Sequence, residues 1–362
     1  MECEQLLLKI ETLTPIHISD GALGELTPLD YVVEDKNMLH VIDFPAFVKA
    51  LNAQERNDFT TVAQSDSFHD ICMFIRQILQ STPERLNSTV AWSTAAGDLS
   101  DLYDMLIQNL ESRFFLKPFI RSAGSPYLPG SSLKGSLRTA LIAGFLGPNG
   151  IAKFLKSDPA LVEAYLMESR SKNKWGRWFA DTIKDPLKAL KTSDAYFVEA
   201  TTTTKQVVNV RLSRKGGIEN EERSEIKNFA ECIGPGAIAH TNLALDKRFF
   251  EFKHHVGRSF SLKNVVEACK AFYDKLLKHE KKFFFDGFSA HDPDSDIADF
   301  YDRLSEINQQ PNCFLLRVGR FAGRNSTSLN IYNLKGEKPQ SRSLVRHQGV
   351  YRPLGWAKVT FE

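Results

Sequence analysis

The sequence predicts an α+β protein of two domains, and three observations carry that prediction. Its 362 residues amount to about two domains at roughly 150 residues each. Hydrophobic residues make up 42% and charged residues 25%, a globular balance that excludes a disordered or fibrous chain. Strand-like and helix-like periodicities alternate along the chain, with β character at both ends.

Residues 6–13 read as a strand, and 30–33 with 38–42 as a hairpin across the turn at 34–37. Asp43 is placed to cap a short helix through Phe44, Pro45 and Phe47, and 67–79 and 99–110 carry apolar residues at helical spacing, so 43–110 is mainly helical. A strand at 114–120 leads through a Gly/Pro/Ser loop at 122–130 into a helix at 132–146, which stops before Gly147 and Pro148. Helices are expected near 159–169 and 174–191. Strand character returns at 195–200, 206–212, 228–233 and 238–245, which sets the domains at 1–189 and 190–362. Residues 262–280 form an amphipathic helix with Val265, Val266, Ala268, Cys269, Phe272, Leu276 and Leu277 on one stripe. The Asp-rich stretch 291–302 reads as a surface loop turning into a short helix, and strands at 313–318 and 356–361 complete the second domain.

No apolar run approaches the roughly 20 residues that span a bilayer, and the start MECEQLLLKIETL carries acids where a signal peptide carries a basic flank. The expectation is a soluble, cytoplasmic protein with no membrane contact. Five cysteines, Cys3, Cys72, Cys232, Cys269 and Cys313, are odd in number and at least 37 positions apart, which argues against a disulfide framework or a CxxC zinc site and for buried thiols. No Asp/Glu/His cluster suggests a metal, and no cofactor is expected.

The net charge of +2 conceals two basic blocks. Residues 112–157 hold seven Lys/Arg and no acid, and 311–362 hold nine Lys/Arg and two acids, so each block carries +7 and the remainder −12. Such separation suits a polyanion held at a defined surface, although two solvated faces far apart would give the same tally.

The first block contains Arg121-Ser-Ala-Gly-Ser-Pro-Tyr-Leu-Pro-Gly-Ser-Ser-Leu-Lys-Gly-Ser-Leu-Arg138. Gly124 and Gly130 permit close backbone approach, Ser131 or Ser132 can cap the helix, and free amides at a helix N-terminus attract phosphate. Lys134 and Arg138 share one face, while Leu133, Leu137 and Leu141 form the neighbouring apolar face. A P-loop is excluded, because GSSLKGS lacks the lysine that follows the second glycine. The bland alternative is a capped helix with two solvated cations.

The stretch Tyr127-Leu-Pro-Gly-Ser-Ser-Leu-Lys-Gly-Ser-Leu-Arg138 resembles the signature of the RAMP superfamily of CRISPR-associated proteins, as does Leu13-Thr-Pro-Ile-His-Ile-Ser-Asp-Gly21. Within it, Leu26-Thr-Pro-Leu-Asp-Tyr-Val-Val33 with Val41-Ile-Asp43, Leu190-Lys-Thr-Ser-Asp194 and Pro353-Leu-Gly-Trp356 resemble the fifth subunit of type III-A (Csm) effectors. The resemblance implies two ferredoxin-like (RRM-like) domains with a helical insertion in the first, at about 43–112. It also implies a noncatalytic subunit that binds crRNA and assembles with neighbouring RAMP subunits near the 3′ part of the guide. That role supports crRNA maturation in antiviral defence, with host nucleases as trimming partners. The expected RNA contacts are Arg121, Gly130, Ser131, Ser132, Lys134, Arg138, Arg317, Arg320 and Arg324. The last three come from Arg317-Val-Gly-Arg-Phe-Ala-Gly-Arg-Asn325, where the family pattern has a plainer glycine-rich loop and where Phe321 is available to stack on a base.

The alternative function is a metal-independent endoribonuclease for CRISPR RNA, which needs a general base and acid near a 2′-hydroxyl. His17 is the first candidate, although a histidine between Ile16 and Ile18 is more often structural. Asp30 lies in a loop region that resembles the place where backbone RAMP subunits carry a cleaving aspartate, with Asp20 nearby, but its neighbours resemble the fifth subunit. The pair His254-His255 reads as surface residues. Lys205, Arg211, Arg214 and Lys215 near Gly216-Gly217 suggest a hairpin, followed at once by Glu219, Glu221 and Glu222.

Overall fold

The computed structural model describes residues 3–34, 37–65, 67–81, 83–108, 113–146, 159–212, 218–220, 226–251, 257–291, 296–332 and 341–361. Two large sheets, the first antiparallel and the second mixed, organise these residues. The first has eight strands, running Cys313–Arg317, Trp356–Phe361, Cys3–Thr12, Ile238–Asp246 and then Ala195–Phe197, with Leu190–Thr192 also on Ile238–Asp246 and Ser125–Leu128 and Arg121–Ser122 beyond. Followed along the chain, Cys3–Thr12, the helix Gly130–Phe145, the strands 190–197, Ile238–Asp246, the helix Leu262–Glu280 and Trp356–Phe361 form a βαββαβ unit. Its strand order in space is fourth, first, third, second, with antiparallel neighbours.

Burial explains the arrangement. Along Cys3–Thr12, Leu8 and Ile10 point inward while Leu7 and Lys9 stay exposed, and both helices pack on the inward face. Leu133, Leu137 and Leu141 of the first helix and Val265, Cys269, Phe272 and Leu276 of the second are buried there, at about 1.5–3 kcal/mol for each large side chain. The second helix begins at a capping box between Ser261 and Asn264, so its start coincides with the expected one.

The second sheet has nine strands, in the order Val350–Pro353, Ser341–His347, Thr202–Leu212, Val90–Ala95, Met38–Ile42, Tyr31–Glu34. Ile218–Asn220 and Ile226–Ile233 also pair with Thr202–Leu212, and Arg113–Lys117 runs parallel to Ile226–Ile233. Each sheet draws strands from both sides of residue 190. That position therefore separates stretches of sequence, not the two sheets.

The described residues between 43 and 108 are mainly helical, with Asp43 and Ser67 as side-chain caps, and they also contribute the strand Val90–Ala95. Residues 174–191 differ from the expected helix: Arg170–Lys172 and Trp178–Ala180 form a hairpin, followed by two 3-10 turns at Thr182–Lys184 and Pro186–Lys188. Gly176 at φ +74° makes the tight turn there, and Pro186 blocks helix continuation. Of the stretch 291–302, residues 292–295 lie outside the described residues, and the helix Ile297–Gln309 is longer than the sequence suggests. Cys72, Cys232, Cys269 and Cys313 are buried free thiols, whereas Cys3 is exposed at the start of its strand. No described helix is long and apolar enough to cross a membrane.

Candidate nucleic-acid interface

Three motifs far apart in sequence meet at one open cleft of about 490 Å³. Ile18 and Ser19 come from the N-terminal motif, Ser132, Gly135, Ser136 and Thr139 from the glycine-motif helix, and Arg317, Gly319, Arg320, Ser326 and Thr327 from the C-terminal loop. The join is tight, because Gly319 sits at φ +93° with the His17 carbonyl filling the space that a Cβ would need. Arg320 N–H donates to that same carbonyl at 3.0 Å.

The wall is rich in hydroxyls whose protons are committed. Ser136 donates to the Arg317 carbonyl at 3.1 Å, Thr139 to Gly135, Ser326 to Ala322 and Thr327 to Gly323. A hydroxyl has one proton and two lone pairs, so these oxygens retain acceptor capacity. Arg320 is the exposed cation among the lining residues. Arg324 is exposed on the same loop but does not line the cleft.

His17 lies beneath, 1% exposed. Its Nδ1 is 2.8 Å from the Glu231 carbonyl, which can only accept, so Nδ1 carries the proton and Nε2 accepts from Ser19 Oγ at 2.9 Å. Ser19 in turn accepts from Arg320 at 3.4 Å. Burial pushes the imidazole down to about 4, against opposing help from the Glu231 carbonyl and carboxylate. His17 is thus a neutral, fully bonded residue between Phe119 and Phe321.

The expected RNA contacts divide by what they touch. Ser132 and Arg320 line the cleft, and Ser131 is exposed beside it. Lys134 and Arg138 lie across the helix from Ser132, Ser136 and Thr139, as the 100° step per residue requires. Lys134 Nζ donates to the Leu190 carbonyl at 2.7 Å, and burial pushes its ammonium down. Arg138 bridges Glu163 at 2.9 Å and Asp185 at 3.1 Å. The Gly130 amide donates to Asp194 Oδ1 at 2.7 Å, so that helix-end amide already faces a carboxylate.

Two further arginines are interior. Arg121 pairs with the buried Glu231, donates to Thr202 and stacks 5.0 Å from the Trp92 ring. Arg317 reaches the cleft wall, but its guanidinium bonds Glu280 at 3.3 Å and the Leu354 carbonyl at 3.1 Å. Glu280 is 1% exposed and also meets Arg342 at 2.9 Å and Asn325 at 3.2 Å. Burial alone would raise its carboxyl, yet Arg342 and Arg317 outweigh that and hold it below the usual range. This knot ties the long helix to both sheets and to the cleft loop.

Asp30 accepts from Thr27 N at 2.7 Å and Thr27 Oγ1 at 2.8 Å, and Asp20 from Ala22 N at 2.9 Å; both serve turns outside the cleft lining. Lys205 pairs with Asp98 at 2.8 Å, while Arg214, Lys215, Gly216, Gly217, His254 and His255 lie outside the described residues. Among the described residues, no three His, Cys, Asp or Glu side chains are grouped to hold a metal ion. Sequence reasoning missed Ser19, Gly135, Ser136, Thr139, Ser326 and Thr327. For Ser136 and Thr139 the signal was their spacing from Ser132 on one helical face.

Comparison with known proteins adds to this geometry. The family model described as "RAMP superfamily" matches residues 9–325. The "CRISPR system Cms protein Csm5" of Methanocaldococcus jannaschii is 26% identical over 396 residues, covering 98% of this chain and 88% of that protein. A chain in the cryo-EM structure of a Csm-crRNA-target RNA ternary complex of a type III-A CRISPR-Cas system superposes with a TM-score of 0.70 at 19% identity, covering 99% of this chain and 100% of that one. Crystalline T. onnurineus Csm5 gives 0.62 at 20% identity, covering 96% of this chain and 99% of that one.

Proposed function

This chain belongs to the RAMP superfamily, and from that premise we propose that it is the Csm5-type subunit of a type III-A CRISPR effector. In this reading it binds crRNA without cutting it, caps the complex near the 3′ part of the guide and supports guide maturation. Its partners are crRNA, neighbouring RAMP subunits and the host nucleases that trim the guide. The βαββαβ order of the first sheet supports one ferredoxin-like unit, and we assign the second sheet to the other, each taking strands from both sides of residue 190.

The observation that carries the reading is the meeting of three family motifs at one cleft with an exposed arginine and a row of acceptor hydroxyls. A phosphodiester suits Arg320 and the Ser132 hydroxyl, and a ribose 2′-OH is a donor for Ser136, Thr139 and Thr327. Neither contact reads a base, so one cleft accepts any guide sequence. The noncatalytic part rests on His17: with both ring nitrogens committed and the ring neutral, it positions Ser19 and the Arg320 loop.

The test is reconstitution with the other effector subunits and guide RNA. The expected result is a complex holding intact crRNA, with less guide recovered when Arg320→Ala and Ser132→Ala are combined. Cleavage in EDTA that His17→Ala abolishes would overturn the reading in favour of an endoribonuclease.

A further inference from the structure

The hairpin at residues 170–180 stands apart from both large sheets, its strands Arg170–Lys172 and Trp178–Ala180 pairing with each other alone. Those eleven residues hold four cations, Arg170, Lys172, Lys174 and Arg177, together with Trp175, Trp178 and Phe179, and no acid. Trp175 at the tip is 73% exposed, and Trp178 and Phe179 are 46% and 45% exposed. Large aromatic rings in water are a surface kept for contact.

The rings are held rather than loose. Asn173 Oδ1 accepts from the amides of Trp175 and Arg177 at 3.0 Å each, and Gly176 at φ +74° closes the turn. Lys174 Nζ stands 4.5 Å from the Trp175 ring, while Arg170 lies 4.3 Å from both Tyr165 and Trp178. Of the two flanking acids, Glu168 faces Arg258 at 3.4 Å, while Asp181 accepts from Ser171 at 2.7 Å at the base of the hairpin. One carboxylate at the base against four cations leaves the hairpin with an excess of positive charge.

We propose that this hairpin is a second single-stranded RNA site, in which the tryptophans stack on unpaired bases and the four cations hold the flanking phosphates. An acidic protein would use the charges and leave the flat rings idle, and a duplex would hide its base faces. A single strand uses both. The identity of the ligand as RNA rests on the function proposed above, but the site does not depend on the cleft. It lies on the other side of the glycine-motif helix, beyond the Arg138–Glu163 pair and the helix Pro159–Leu166 that carries Tyr165.

The test measures binding of a labelled oligouridylate to the full chain by fluorescence anisotropy over a salt series. Trp175→Ala is expected to weaken binding roughly tenfold, with Trp175→Phe restoring most of it. Combined Lys172→Ala and Lys174→Ala is expected to lower the salt slope by about 0.7 for each phosphate no longer neutralised. These exposed changes leave the fold intact, which circular dichroism checks. Unchanged affinity in both hairpin variants, with weaker binding in Arg320→Ala, would overturn the hairpin site while leaving the cleft reading in place. Weaker binding in the hairpin variants with none in Arg320→Ala would support the hairpin and count against the cleft. No oligouridylate binding by the unaltered chain would overturn the hairpin site.

Discussion

The Asp194 carboxylate accepts a 2.7 Å hydrogen bond from the Gly130 amide, so the chain closes the start of its own glycine-motif helix with a negative charge. Pro129 precedes that helix and has no side-chain cap to offer, and a residue 64 positions on supplies it. Asp194→Ala is expected to cost about 1 kcal/mol, read as a shift in the urea midpoint. Gly130→Ala is expected to cost far more, since its Cβ would collide with the Thr192 carbonyl.

Glu280 offers a sharper test. Glu280→Gln keeps the shape but leaves Arg317 and Arg342 buried without a counter-charge, and the expected loss is about 3–5 kcal/mol by thermal or chemical denaturation. Because the folded carboxyl is held low, the contribution is full above the ordinary value of 4.5 and fades as pH falls below it.

His17 governs a higher pH window. Its ordinary value is 6.5 and its folded value about 4, so above 6.5 both states are neutral and stability is full. As pH falls from 6.5 toward 4, the unfolded chain takes up a proton that the native ring refuses, with a loss of about 3 kcal/mol. Denaturation across that window should show the decline, and His17→Asn should flatten it.

Two glycines in the cleft should behave oppositely. Gly319→Ala forces a side chain into a positive-φ position against the His17 carbonyl, and the expected outcome is a large drop in stability. A Cβ on Gly135 meets nothing within 4 Å, so Gly135→Ala should leave stability equal or higher by about 0.5–1 kcal/mol. Gly135→Gln should keep the fold and weaken RNA binding by filling the cleft.

Much of the fold was legible because it rests on local rules. The helix Leu262–Glu280 and the hairpin of Tyr31–Glu34 with Met38–Ile42 follow from periodicity, capping and turn chemistry. The hairpin at 170–180 was missed because its apolar spacing mimics a helix until Gly176 and Asn173 set the turn. The interleaving of the sheets was missed for another reason: no local signal tells Cys3–Thr12 that its partners are Ile238–Asp246 and Trp356–Phe361. The site was legible as motifs but not as contacts. Lys134, Arg138, Arg121 and Arg317 read as phosphate ligands until Leu190, Glu163, Glu231 and Glu280 engage them from distant parts of the chain.

The decisive comparison is RNA affinity and its salt slope for the unaltered chain, Arg320→Ala and Arg138→Ala, using one crRNA fragment and equal folded fractions. Arg320→Ala is expected to weaken binding and lower the slope by about 0.7, while Arg138→Ala, whose partners are Glu163 and Asp185, leaves both unchanged. Loss of binding in Arg138→Ala with none in Arg320→Ala would contradict the cleft assignment and move the RNA to the opposite face of the glycine-motif helix.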